Sequence, residues 1–207
     1  MWIAERLEQS AAIEVLRQLP SPLFTSADLA KFIANDNVFL HRASRKGYVK
    51  KIANRIYWNV LFSTNPPTLE QVACFARRPS YVSCEWALNH HGILLQAPTV
   101  CTAITLHSGI GTRNRIFYQD YVIEYSRIAE KLYLPEEILK LDNVLMATPE
   151  KALLDFLYLA RGKGIRRRYS EFNLKGLNLK KLNSYARKMN LSLRLKEQVM
   201  SNGRATI

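Results

Sequence analysis

Residues 24–59 read FTSADLAKFIANDNVFLHRASRKGYVKKIANRIYWN, and the hydrophobic period of this stretch changes at its single glycine, Gly47. Before Gly47 the apolar side chains recur at helical spacing; after it they alternate. Thr25 or Ser26 suits a helix N-cap, and Asp28 falls in the first turn, where negative charge complements the helix dipole. Leu29, Phe32 and Ile33 would form the apolar face of that helix, and Asn35-Asp36 reads as a turn. A further helix is predicted from about Asn37 to Arg45, with Val38, Phe39 and Ala43 facing inward and Gly47 as a left-handed stop. Tyr48 to Ile52 and Arg55 to Asn59 then read as two strands joined tightly at Ala53-Asn54. Upstream, Ile3, Leu7, Val15, Leu16 and Leu19 predict a first helix, ended by Pro20-Ser21-Pro22. Helix, helix, turn, helix, hairpin is the order of a winged helix-turn-helix.

Beyond the hairpin, Ser63-Thr64-Asn65-Pro66-Pro67-Thr68 is uncharged and proline-paired, as a semi-rigid linker is. The expected organisation is therefore a DNA-binding domain over 1–62, a linker over 63–68 and a second domain over 69–207. In the second domain, helices are predicted at Leu69 to Arg77 and at Tyr81 to His91, the latter closed by Gly92. Strands are predicted from Val100 to Leu106, Arg115 to Tyr118 and Tyr121 to Tyr125, and a short helix from Pro135 to Leu141. Val144 to Ala147 reads as a strand or an extended lead-in. Thr148-Pro149-Glu150 is a strong helix start, opening a nearly all-apolar helix through Leu159 that belongs in the core. Amphipathic helical segments follow from Leu179 to Met189 and from Leu191 to Met200. The fold class is thus α+β: a winged helix-turn-helix, then a mixed α/β domain with antiparallel strands and a helical C-terminal tail.

The charge is segregated. The chain carries a net +13, but residues 1–67 contribute +4, residues 68–160 contribute −2 and residues 161–207 contribute +11. Clustered lysine and arginine match a polyanion, since they release the counterions condensed on phosphates. From Asn37 to Leu69 there is no acidic residue. The candidate DNA-binding residues of that window are Asn37, His41, Arg42, Ser44, Arg45 and Lys46 around the helix, and Lys50, Lys51, Asn54 and Arg55 on the hairpin. A second basic surface is expected at Arg166, Arg167 and Arg168, with Lys180 and Lys181. That tract could extend the phosphate contacts, dock an acidic partner, or be a charged loop.

Other chemistries find less support. Cys74, Cys84 and Cys101 are odd in number and form no CxxC pair, so buried thiols are expected rather than disulfides or a zinc site with His90 and His91. Asp120 and Glu124 flank a strand and would be the residues of a metal-dependent nuclease, but the converging carboxylates such a centre needs are missing. Gly109-Ile110-Gly111 is not followed by a phosphate-binding helix pattern. The expectation is no enzyme, no cofactor and no metal; a tethered nuclease and a protein-interaction module with a basic surface are the alternatives. No apolar run is long enough to span a bilayer and the N-terminus lacks signal-peptide character, which points to the cytoplasm.

Two segments carry a family resemblance. Tyr81 to Gly92, YVSCEWALNHHG, resembles the Y-[IV]-S-x-x-x-A-L-x-x-H-G element of the type IV abortive-infection antitoxins, the AbiEi-like proteins. Ala147 to Asp155, ATPEKALLD, matches their A-T-P-E-K-A-L-L-D element, and Phe24 to Tyr57 resembles their winged domain. The resemblance covers residues 20–160. It implies an autorepressor that binds repeats in its own promoter and neutralises a nucleotidyltransferase-like toxin, with the signature elements serving as structure. The hairpin tip departs from the family, having Ala53-Asn54-Arg55 where a glycine is common.

Overall fold

The computed structural model describes residues 2–108, 114–160 and 172–191, with side chains described from Ser10 onward. The chain divides into two compact units, Met1–Thr68 and Leu69–Ile207, and both mix helices with strands. Among the described residues no helix is long and apolar enough to cross a membrane.

The first unit runs α1 (Trp2–Arg17), β1 (Leu23–Thr25), α2 (Ser26–Leu29), α3 (Asp36–Arg45), β2 (Val49–Ala53) and β3 (Ile56–Asn59). Its three strands form an antiparallel sheet in the order β1-β3-β2. Thr25 caps α2 in a reciprocal box. Its hydroxyl accepts from the Asp28 N–H at 3.1 Å, and its own N–H donates to the Asp28 carboxylate at 3.0 Å. The helix stops at Leu29, so Phe32 lies beyond it and is 43% exposed instead of completing an apolar face.

Leu16, Leu19, Phe24, Leu29, Leu40, Ala43 and Val49 make the core of this unit, with Phe39 and Tyr57 packed against it. The inward set of α3 is therefore Phe39, Leu40 and Ala43, related by three- and four-residue steps. Val38 was expected inside, but the turn of the helix carries it outward, where it is 52% exposed. Gly47 ends the helix with φ +75°, and Tyr48 N–H returns to the Ala43 carbonyl at 3.0 Å, which aims the chain into β2. The Asn59 amide donates to the Leu16 carbonyl at 2.8 Å and ties β3 to the end of α1. The hairpin turns at Asn54-Arg55, one residue later than expected, with Arg55 at φ +60°. Its carbonyl accepts from Ser26 N–H at 3.1 Å, which fastens the tip to the start of α2.

The second unit contains α4 (Leu69–Ala76), β4 (Ser80–Val82), α5 (Cys84–His90), β5 (Val100–Thr105), β6 (Arg115–Tyr118), β7 (Tyr121–Arg127), β8 (Ile138–Leu141), β9 (Val144–Ala147), α6 (Pro149–Leu159) and α7 (Leu179–Lys188). The sheet order is β6-β7-β5-β4-β9-β8, with β5–β7 and β4–β9 parallel and the other pairs antiparallel. Two expectations fail here. Tyr81 does not begin a helix: Ser80–Val82 is a fully buried strand between β5 and β9. The Pro135 signal opens only a 3-10 turn, after which Ile138–Leu141 pairs with β9 as an edge strand.

The last described helix, α7, is held by carboxylates; the helix expected from Leu191 to Met200 lies, but for Leu191, outside the described residues. Glu137 accepts from Thr148 at 2.7 Å, Tyr185 at 2.7 Å and Lys181 at 3.1 Å, and Glu150 accepts from the Asn178 N–H at 2.7 Å. Burial alone would push the Glu137 carboxyl up, but the bonds from Thr148, Tyr185 and Lys181 outweigh it and hold the group below the usual glutamate value.

Two outcomes follow for stability. Gly47 has open space around a would-be Cβ, so Gly47→Ala incurs only the left-handed backbone penalty, and denaturant unfolding should show a loss of about 1 kcal/mol. A carboxyl with a lowered folded pKa stabilises above its unfolded value, and the benefit disappears as pH falls through the folded one. Glu137→Gln should therefore lower the denaturant midpoint at neutral pH, and its deficit relative to wild type should shrink as the pH is taken below the ordinary glutamate range.

Candidate nucleic-acid interface

With Phe39, Leu40 and Ala43 committed to the core and Asp36 half-buried, the other positions of α3 are exposed: Asn37, Val38, His41, Arg42, Ser44 and Arg45. Val38, His41, Arg42 and Arg45 stand at i, i+3, i+4 and i+7, so they share one face of the helix. Asn37 and Ser44 flank that row, and Lys46 is exposed at the C-cap. Arg42 and Arg45 also lie in the last turn, where cations suit the negative end of the helix. That placement explains why they are tolerated there. It does not require both to be arginine, whose fork of donors matches phosphate oxygens and guanine edges. Asp36, the acidic residue of the first turn, accepts from the Asn37 N–H at 2.9 Å.

The hairpin does not present its cations together. Successive strand residues point to opposite faces. Lys51 pairs with Tyr57, on the face that carries Val49 and packs on the helical core. Lys50 pairs with Trp58 on the other face, with its ammonium 5.2 Å from the Trp58 ring centroid. Both lysines are exposed, as are Asn54 and Arg55 at the turn. Thus α3 and Lys51 share a side of the sheet, and Lys50 is turned from it.

In the second unit, Lys180 and Lys181 sit in the first turn of α7. Lys181 is engaged by Glu137, whereas Lys180 is exposed beside it. Arg166, Arg167 and Arg168 lie outside the described residues, as does Gly109-Ile110-Gly111.

The residues considered for other chemistry are placed as follows. Cys74, Cys84 and Cys101 are buried, and burial pushes each thiol up, away from the reactive thiolate. His91 meets the Ala147 carbonyl at 2.8 Å with its Nε2, and the His90 ring packs edge-on against it. Glu124 is paired with Arg115 at 2.7 Å, and Asp120 lies in the β6–β7 turn. Among the described residues no three histidine, cysteine or carboxylate side chains gather as a metal site.

Glu150, Lys151 and Asp155, which the sequence places on one helix as a weak catalytic candidate, do not act together: Lys151 and Asp155 join Tyr81 and Ser83 in a buried polar network that the sequence did not foretell. The Lys151 ammonium donates to Asp155 and, at 2.8 Å, to the Tyr81 hydroxyl. Asp155 also accepts from Tyr81 at 2.9 Å and from Ser83 at 2.8 Å. Lys151, Asp155, Tyr81 and Ser83 all have 0% exposure, so no reacting group can approach them. Complete burial pushes the Asp155 carboxyl up, while Lys151 and the two hydroxyls pull against it. The available signal was the i, i+4 pair Lys151 and Asp155 on a helix otherwise too apolar to have a solvent face. The two sequence elements, residues 81–92 and 147–155, meet in this network and again at the His91–Ala147 contact.

Breaking such a pair strands a charge. Asp155→Ala should destabilise by about 3–5 kcal/mol in denaturant titration. The double variant Lys151→Met/Asp155→Leu should lose less than the sum of the two single changes, the difference measuring their coupling.

Compared with known proteins, the chain matches no family model and no curated protein sequence.

Proposed function

We propose that the first unit is a winged helix-turn-helix that binds duplex DNA through α3, and that the chain is a transcriptional autorepressor and antitoxin. The observation that carries the DNA reading is the exposed row of His41, Arg42 and Arg45 on one face of a helix whose opposite face is core. It lies in a stretch, residues 37–69, without a single carboxylate side chain to repel phosphate. The order α1-β1-α2-α3-β2-β3, with its β1-β3-β2 sheet, supports the winged reading. In it α3 enters the major groove, and the hairpin, led by Lys51 and Arg55, lies along the backbone.

The antitoxin role rests on the resemblance of residues 81–92 and 147–155 to the AbiEi-like elements. Their meeting in one buried network supports a shared structural purpose for both elements. Under this reading the second unit counteracts a nucleotidyltransferase-like toxin encoded beside the chain, and no chemistry is asked of its own residues.

A mobility-shift titration on the DNA upstream of the reading frame tests the proposal. Binding should appear at low salt and weaken steeply as salt rises. Arg42→Ala and Arg45→Ala should each reduce affinity by about tenfold or more. Lys51→Ala should reduce the slope of log K against log salt by about one unit. No shift of any duplex at low salt would remove the DNA reading.

A further inference from the structure

Val38 is the anomaly of the α3 surface. Its neighbours on the outward row, His41, Arg42 and Arg45, offer cationic or hydrogen-bonding groups, as does Asn37 beside it. A single exposed apolar residue is ordinary on a protein surface. Val38 differs in standing one helical turn before His41 and Arg42, in the sector they share, so that whatever meets those residues meets it too. A β-branched side chain on a helix is stiff about χ1 and loses little freedom when covered, whereas the arginines beside it must be ordered. The row is therefore a fixed apolar contact followed by adaptable donors.

The groove of a DNA duplex offers few complements to that contact. The major-groove edges of guanine, cytosine and adenine present donors and acceptors, and thymine alone adds a methyl group. Phosphates and sugars give valine nothing to discriminate. We propose that Val38 is a specificity-determining residue that selects thymine by packing against its 5-methyl group, while His41, Arg42 and Arg45 bind neighbouring base edges and phosphates. The assignment rests on the DNA-binding reading of α3 and adds to it the base that the helix prefers.

The test uses the full chain and duplexes selected from a random library at low salt. In the preferred site each thymine is replaced in turn by deoxyuridine, which removes only the methyl group. Wild type should lose about fourfold in affinity at one such position, the value of one buried methyl. Val38→Ala should bind thymine and deoxyuridine equally there, and Val38→Thr should bind the thymine site more weakly than wild type. Because Val38 is exposed, both variants should melt with wild type. The inference is overturned if no replacement weakens wild type, or if the loss persists undiminished in Val38→Ala. A chain that selects no duplex at all overturns the DNA reading itself, whereas selection without methyl dependence removes only the role given to Val38.

Discussion

The second unit depends on one ionic contact hidden from water. Lys151 and Asp155 lie a helical turn apart on α6, with both charges fully enclosed. In a low-dielectric interior neither would be tolerated alone. What makes the pair admissible is the supply of hydroxyls: Tyr81 bridges both charges and Ser83 completes the carboxylate. Among the described residues no buried polar side-chain atom lacks a partner. The network specifies register as well as holding charge. Tyr81 and Ser83 come from the central strand β4 and from the residue before α5, so α6 can meet them in one axial position only. His91 adds a second fixed point at the junction of β9 and α6.

The first unit is governed by a different constraint, the division of a ten-residue helix between core and solvent. Three residues of α3 satisfy the core, and the residues left over decide what the surface can bind. Its outward row carries Arg42 and Arg45 beside His41, and the sheet then separates Lys51 from Lys50. The cationic surface is consequently narrower than composition suggests, being centred on α3 with one strand lysine beside it.

Where the chain's local chemistry was strong, the fold was legible. The Thr25–Asp28 box, the Gly47 stop and the Thr148-Pro149 start all occur at the residues that signal them. Elements held by distant partners were not. The strand Leu23–Thr25 is three residues long and exists because β3 pairs with it. Ser80–Val82 looked helical because the apolar residues after it continue at helical spacing, yet pairing on both sides makes it a strand. Within Val38-Phe39-Leu40, periodicity could not choose the inward pair from three adjacent apolar residues. The α3 cations were legible from the missing carboxylates. The buried network was not, because α6 reads as uniformly apolar until Lys151 and Asp155 are asked where their charges go.

The hairpin tip carries a consequence of its own. Its two-residue turn places Arg55, rather than a glycine, at positive φ, and the same residue's carbonyl is fastened to the N-terminus of α2. Where a glycine would have left the turn its usual backbone freedom, this corner is tied by that bond to a neighbouring helix. Under the DNA reading proposed above, a duplex lying along this edge would meet backbone already committed to the protein's own helix.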